Sequence, residues 1–186
     1  MMKLLMIVLI MQRLTELVIA RRNEKWMKKQ GGIEVGQAHY PYLVMLHVLF
    51  ILSFTVEVVV LQRSIHPSWP FILVLFLLTQ IGRGWVIYSL GRYWNTKIIV
   101  VPDVKLVKKG PYRFLKHPNY VIVAVEFIII PLLYEAYITS VVFTLLNIWI
   151  LSVRIPTEER ALQNLTEYGR EFTKHNRFLP SFSKKV

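Results

Sequence analysis

A chain of 186 residues is one domain's length, and 54% of it is hydrophobic, with a mean hydropathy of +0.44. Its apolar residues gather in blocks of membrane-spanning length, which excludes an ordinary soluble globule. The absence of cysteine excludes disulfides, thiolate nucleophiles and thiolate metal sites, and the net charge of +12 sits in loops beside apolar blocks, so membrane topology accounts for it better than nucleic acid does.

Five spans follow in chain order, over residues 4–20, 42–61, 70–90, 120–133 and 136–153. The first has no small-residue cleavage site and carries Gln12, Arg13 and Glu16, so it reads as a retained helix rather than a signal peptide. The fourth is short for a hydrocarbon core of ~30 Å, which needs ~20 residues. Pro131 interrupts it, and Tyr134-Glu135 leaves little room for a loop, so the fourth and fifth spans form a tight helical hairpin. Between the third and fourth spans, the β-branched run 97–101 is expected to lie extended. After the fifth span, Pro156 suits the first position of a new helix running to about Lys174, with Leu162, Leu165, Tyr168 and Phe172 on an apolar stripe. Phe178, Leu179, Pro180 and Phe182 read as a final hydrophobic lid or surface anchor.

Charge asymmetry orients this layout. Arg21, Arg22, Lys25, Lys28 and Lys29 follow the first span, a basic run from Arg92 to Lys116 follows the third, and Arg154 to Lys185 follow the fifth. The opposite side holds only Lys3 and Arg63. The expected topology has the N-terminus outside and the C-terminus in the cytoplasm. The fold class is then an all-α integral membrane protein of about five transmembrane helices, one domain over 1–186. Residues 1–90 make three N-terminal spans, and 91–186 make the loop, hairpin and C-terminal helix.

Charged residues inside the spans need partners or a polar cavity, at about 2.5–3.5 kcal/mol each near mid-bilayer. Arg13 and Glu16, three apart on one helical face, can pair. Glu57, Arg83 and Glu126 have no local partner in the sequence. Glu126 lies about two turns beyond the fourth helix's entrance and is a candidate catalytic residue. Glu57 is expected near a lipid access route.

Polar chemistry concentrates in two stretches. The first is Gly110-Pro111-Tyr112-Arg113-Phe114-Leu115-Lys116-His117-Pro118-Asn119-Tyr120, where a turn runs into the fourth helix. Asn119 is expected as its N-cap, which sets His117 and Tyr120 at a helix mouth that favours anionic groups. The second is Arg154-Ile155-Pro156-Thr157-Glu158-Glu159-Arg160-Ala161-Leu162. There, carboxylates can hold cationic, amine or hydroxyl donors, and the arginine can hold a carboxylate. His39, His47, His66, His117 and His175 show no ligand spacing, so no metal site is expected, and His39 and His47 read as ordinary interfacial or core residues.

These two stretches, in this order and at hairpin spacing, resemble the isoprenylcysteine carboxyl methyltransferase family and its phospholipid methyltransferase relatives. The likeness runs from about Leu90 to Pro180, and the five-span count is similar to that of the compact prokaryotic members. Lys116 stands where the family has arginine, Ile122 where it often has glycine, and Lys105 where many members have histidine. The resemblance implies S-adenosylmethionine as methyl donor, bound without a Rossmann domain, in keeping with the lack of a G-x-G-x-x-G loop. It implies Tyr112, His117, Pro118, Tyr120, Glu158 and Glu159 as the cofactor pocket. Arg154 is then the candidate for orienting an anionic substrate group.

The leading expectation is O-methylation of a lipid-tailed substrate, first of all at a carboxylate, which is ionised at neutral pH and needs no base. Expected partners are that lipidated substrate and membrane lipids, with neither nucleic acid nor metal. Methylation of a phenolic or pyrone long-chain lipid, or of a phospholipid amine, is the enzymatic alternative. A lipid-binding membrane subunit without catalysis is the alternative from another class.

Overall fold

The computed structural model describes residues 2–105 and 107–166. Five helices dominate: α1 (Met2–Lys29), α2 (Tyr40–Val60), α3 (Trp69–Leu90), α4 (Pro118–Leu132) and α5 (Tyr137–Leu165). Three segments, Gln37–Val60, Trp69–Tyr93 and Tyr137–Leu165, are long and apolar enough to cross a membrane, and α4 is a shorter apolar helix. A broad band of large hydrophobic side chains is exposed, including Leu4, Ile7 and Leu14 on α1 and Val56, Leu78 and Leu145 on the longer helices. Such a surface is stable in lipid and not in water.

α4 and α5 form the expected tight hairpin. Pro131 lies inside α4, and the Ala136 and Tyr134 amides both bond to its carbonyl, each at 3.0 Å. Glu135 turns the chain with φ 53°. The core between α2, α4 and α5 is aromatic: Phe50 meets Phe127 at 4.7 Å and Phe143 at 5.5 Å between ring centroids, both edge-on.

The expected extended run is a strand. β1 (Ile33–Val35) pairs antiparallel with β2 (Ile98–Val100), Glu34 opposite Ile99. Alternation decides what each face covers. Ile98 and Val100 pack on Ala161 near the end of α5, while Ile99 and Val101 pack on Met27 near the end of α1. This ribbon, a departure from an all-helical layout, fastens the far ends of α1 and α5 to one loop.

Two helix boundaries differ from expectation. α4 starts at Pro118, with non-helical His117 (φ −128°, ψ 61°) in the capping position, so Asn119 belongs to the first turn. A proline at the first helical position lacks only an N–H that would be unbonded anyway. α5 does not break at Pro156 but runs through it to Leu165, where Thr166 turns extended. The missing bond of Pro156 is tolerated because side chains on both sides of it, Arg154 and Glu159, are pinned to other segments. The parts of the expected C-terminal helix and lid beyond Thr166 lie outside the described residues.

Candidate active site

α3 and the loop after it build one wall of a cavity. Gly110 is held against α3: with φ +55°, a Cβ there would lie 2.1 Å from Ser89 Oγ and 2.8 Å from Trp85 Nε1. Only glycine permits both that backbone and that approach. It begins a short 3-10 turn, Gly110–Arg113, that delivers Tyr112, and the chain then reaches His117 at the start of α4.

The two polar stretches meet there. The His117 ring nitrogen Nε2 donates to Glu159 Oε1 at 3.2 Å, across 42 residues of sequence. Tyr120 donates its hydroxyl to Glu158 and accepts from Arg154 Nε at 2.8 Å. Arg154 also donates to the Thr96 carbonyl at 2.6 Å, so α5, α4 and the 94–97 loop share one network. The His117 and Tyr120 rings stack 5.3 Å apart. His117, Arg154 and Glu159 are 5%, 3% and 7% exposed, whereas the Glu158 side chain keeps 28% of its surface open. Burial first, and then the Glu158 carboxylate, push the Tyr112 phenol well above its usual range, so it stays a neutral hydroxyl.

Beside this network lies a cavity of about 240 Å³. Tyr112, Lys116, His117, Asn119, Tyr120, Arg154 and Glu158 line its mouth. α5 contributes a stripe at helical spacing, from Leu162 and Glu158 through Arg154 and Leu151 to Asn147. Leu43 and His47 of α2 and Val123 of α4 close the inner end, and Arg13, Glu16 and Arg83 form the side wall. Pro118 sets the start of α4, and Glu159 acts on His117.

In the side wall and just behind it, Arg13, Glu16, Arg83 and Glu126 alternate in charge. Arg13 bonds Glu16 at 2.8 Å and Glu126 at 3.1 Å, and Arg83 bonds Glu16 at 3.0 Å and also Glu126. Gln80 completes Glu126 at 2.8 Å and Gln12 completes Glu16 at 3.0 Å. Four charges on α1, α3 and α4 thus cancel, as buried charge requires. Glu126, 2% exposed, stands behind the wall in this cluster and not with Tyr120, Glu158 and Arg154.

Glu57 does not line the cavity. It sits at the opposite end of α2, where Oε2 accepts from the Thr139 amide and hydroxyl, each at 2.7 Å, and Oε1 from the Ile138 amide at 3.2 Å. Arg63 pairs with it at 3.3 Å. α5 has no side-chain cap of its own at Ala136, and Glu57 supplies one from another helix.

The cavity suits a polar organic ligand. Trp94 Nε1, Asn119 Oδ1 and Asn147 Oδ1 all belong to lining residues and are buried without a hydrogen-bond partner. Unsatisfied buried polar atoms gathered around one cavity are otherwise costly. S-adenosylmethionine carries the matching set: an ammonium and ribose hydroxyls for carboxylates, and a carboxylate and an adenine for donors and rings. Sequence reasoning missed Thr96, Trp94, His47 and Asn147, because nothing in a single helix or loop marks them. A polar residue on an otherwise apolar stripe, as Asn147 is among Phe143, Ile150 and Leu151, was the one available signal.

Comparison with known proteins identifies the family. The model of the isoprenylcysteine carboxyl methyltransferase family matches residues 72–164, which take in most of α3, the 91–117 loop, α4 and nearly all of α5. YpbQ of Bacillus subtilis (strain 168), described only as uncharacterized, is 51% identical over 160 residues, covering 86% of this chain and 95% of the relative. An uncharacterized protein of Haemophilus influenzae is 28% identical over 154 residues, covering 82% of this chain and 90% of its own length. The matched region contains both polar stretches and the hairpin that joins them, and the chain therefore belongs to the isoprenylcysteine carboxyl methyltransferase family, as a membrane methyltransferase of that kind.

Proposed function

We propose that the protein is an S-adenosylmethionine-dependent O-methyltransferase of a lipid-tailed acceptor. The observation that carries this reading is the meeting of His117 and Tyr120 with Glu159 and Glu158 over one cavity. In this reading all five helices sit in the membrane, the basic loops and the mouth face the cytoplasm, and the N-terminus lies outside. Glu158, Tyr112, His117 and Tyr120 hold the donor, Glu159 serves the donor pocket by orienting His117, and Pro118 fixes the backbone from which His117 and Tyr120 project. The donor brings a methyl group already activated on a sulfonium.

The chain's own contribution is alignment and dryness. Arg154, held by Tyr120 and the Thr96 carbonyl, presents a fixed positive charge beside Glu158 and orients the anionic group of a ligand. Glu126 acts one layer back, by fixing Arg13 and Arg83 in the cavity wall. The lipid tail stays among the exposed apolar helix faces while the head enters the cavity.

A carboxylate is the acceptor that the family's name points to. One observation favours an acidic hydroxyl instead: the side-wall guanidinium groups already bond carboxylates, and an imidazole stands at the inner end. Two measurements test the proposal. Calorimetric titration of the purified protein with S-adenosylhomocysteine should show binding, and none at millimolar ligand would sink the enzyme reading. Radiolabelled methyl transferred to membrane lipids should be base-labile for an ester and base-stable for an ether.

A further inference from the structure

α2 and α5 run antiparallel in a fixed register. Glu57 bonds Thr139, and further along the pair the Phe50 and Phe143 rings touch. One further turn sets His47 level with Asn147, and another sets Leu43 level with Leu151, and all four line the cavity. His47 also lies on the ring of Phe127, with centroids 5.4 Å apart. The inner end therefore has two polar side chains in its lining, one from each helix, with His47 backed by the Phe127 ring.

The His47 ring has a defined orientation. Nδ1 lies 2.8 Å from the Leu43 carbonyl, and a carbonyl can only accept, so Nδ1 carries the hydrogen. In the neutral ring Nε2 is then the lone-pair atom, and it has no partner among the described residues. Asn147 is 2% exposed with Oδ1 unpartnered, an expensive state for a buried amide. The charged groups that face this end are Arg13, Glu16 and Arg83 on the side wall, and Arg154 towards the mouth.

We propose that His47 and Asn147 form the subsite for the reacting head of the acceptor, a lipid bearing an acidic hydroxyl, with His47 as its proton acceptor. This rests on the O-methyltransferase reading given above. The acceptor's O–H bond breaks, the proton joins Nε2, and the electron pair stays on oxygen, where it is available for methylation. The resulting imidazolium and oxyanion neutralise one another, and the proton leaves to water after the product departs. Asn147 orients the head by its amide, and the mouth remains free for the donor.

A para-nitrophenol with a long alkyl chain tests this, because its colour reports ionisation without turnover. Bound to the wild-type protein in detergent, it should ionise at least one pH unit below its midpoint in protein-free micelles. In His47→Gln that midpoint should return to the micelle value, while S-adenosylhomocysteine binding stays within about threefold. With a hydroxyl acceptor, kcat in that variant should fall roughly 100-fold with KM little changed. Equal midpoints in wild type and micelles overturn the role of His47, and that measurement needs no variant to fold. If S-adenosylhomocysteine binds but the phenol does not, the subsite falls and the methyltransferase reading stands. If neither binds, the methyltransferase reading falls too.

Discussion

Two buried polar centres stand at opposite ends of α5 and follow opposite rules. At its start, Glu57 has both oxygens occupied by two backbone amides, a hydroxyl and Arg63, and it does not line the cavity. Near its other end, Glu158, Arg154 and Tyr120 are joined to one another but border open space, with buried unpartnered atoms on Trp94, Asn119 and Asn147 around the same cavity. A polar centre that satisfies itself holds a fold together, while one that leaves atoms over awaits a ligand. The chemistry of a carboxylate in a membrane helix does not distinguish these cases. Its surroundings do.

The largest effect should come from Arg83→Met. It leaves Glu16 and Glu126 facing only Arg13, and removing one partner of a buried charge set costs about 3–5 kcal/mol. The variant should lose a large part of its thermal stability in detergent, and Arg83→Met with Glu126→Gln should recover part of it. Equal melting temperatures for wild type and Arg83→Met would show that the cluster is not what holds α1 on α3 and α4.

Glu57→Ala comes next, at roughly 3 kcal/mol, since it strips charge-assisted bonds from the start of α5 and strands Arg63. Its melting temperature should drop while affinity for S-adenosylhomocysteine stays within about threefold. Glu159→Ala should do the reverse. Affinity should fall about 30-fold, on the order of 2 kcal/mol, through the loss of a bond that orients His117, with a small change in melting temperature. A variant that loses both properties together would erase the distinction between the two centres.

The sequence made some of this legible and not the rest, for identifiable reasons. Apolar blocks found the helices because burial in lipid needs no long-range knowledge, and Tyr134-Glu135 gave the hairpin because so few residues leave one path. The Arg13–Glu16 pair was visible because three residues apart is a contact on any helix. Arg83 and Glu126 joining it was invisible, since the partners sit on three different helices. Pro156 misled: a local rule says that a helix begins there, but Arg154 and Glu159 are anchored to other segments and carry α5 past it. β1 has only three residues, too few to show a period, and His47 looked ordinary because its role depends on a register between α2 and α5.

The smallest effect concerns what keeps the mouth in shape. Lys97, just before β2, bonds Glu24 at 2.9 Å and Glu34 at 3.2 Å, and Lys28 bonds the same two at 2.6 and 2.9 Å. Hydrogen bonds donated to Glu24 and Glu34 push the Lys28 ammonium up to about 12. For Glu34, the hydrogen bond from Lys28 is the largest influence and lowers its carboxyl. For Glu24, burial would raise the carboxyl, but the bonds from Lys28 and Lys97 outweigh it and lower it. Carboxyls lowered on folding add stability above their unfolded value of 4.5, and that contribution disappears as pH falls through the lower folded value. The raised lysine contributes fully below 10.5 and loses its contribution as pH climbs through about 12. Lys97→Met should therefore cost roughly 0.5–1 kcal/mol, a typical worth for a partly exposed pair, throughout the range between those limits. The melting difference between wild type and variant should shrink below pH 4.5, and added salt should reduce it at neutral pH. A difference that persists unchanged in acid would mean that Lys97 holds the ribbon by packing its stem, and by lying over the Tyr40 ring at 5.7 Å, rather than by charge.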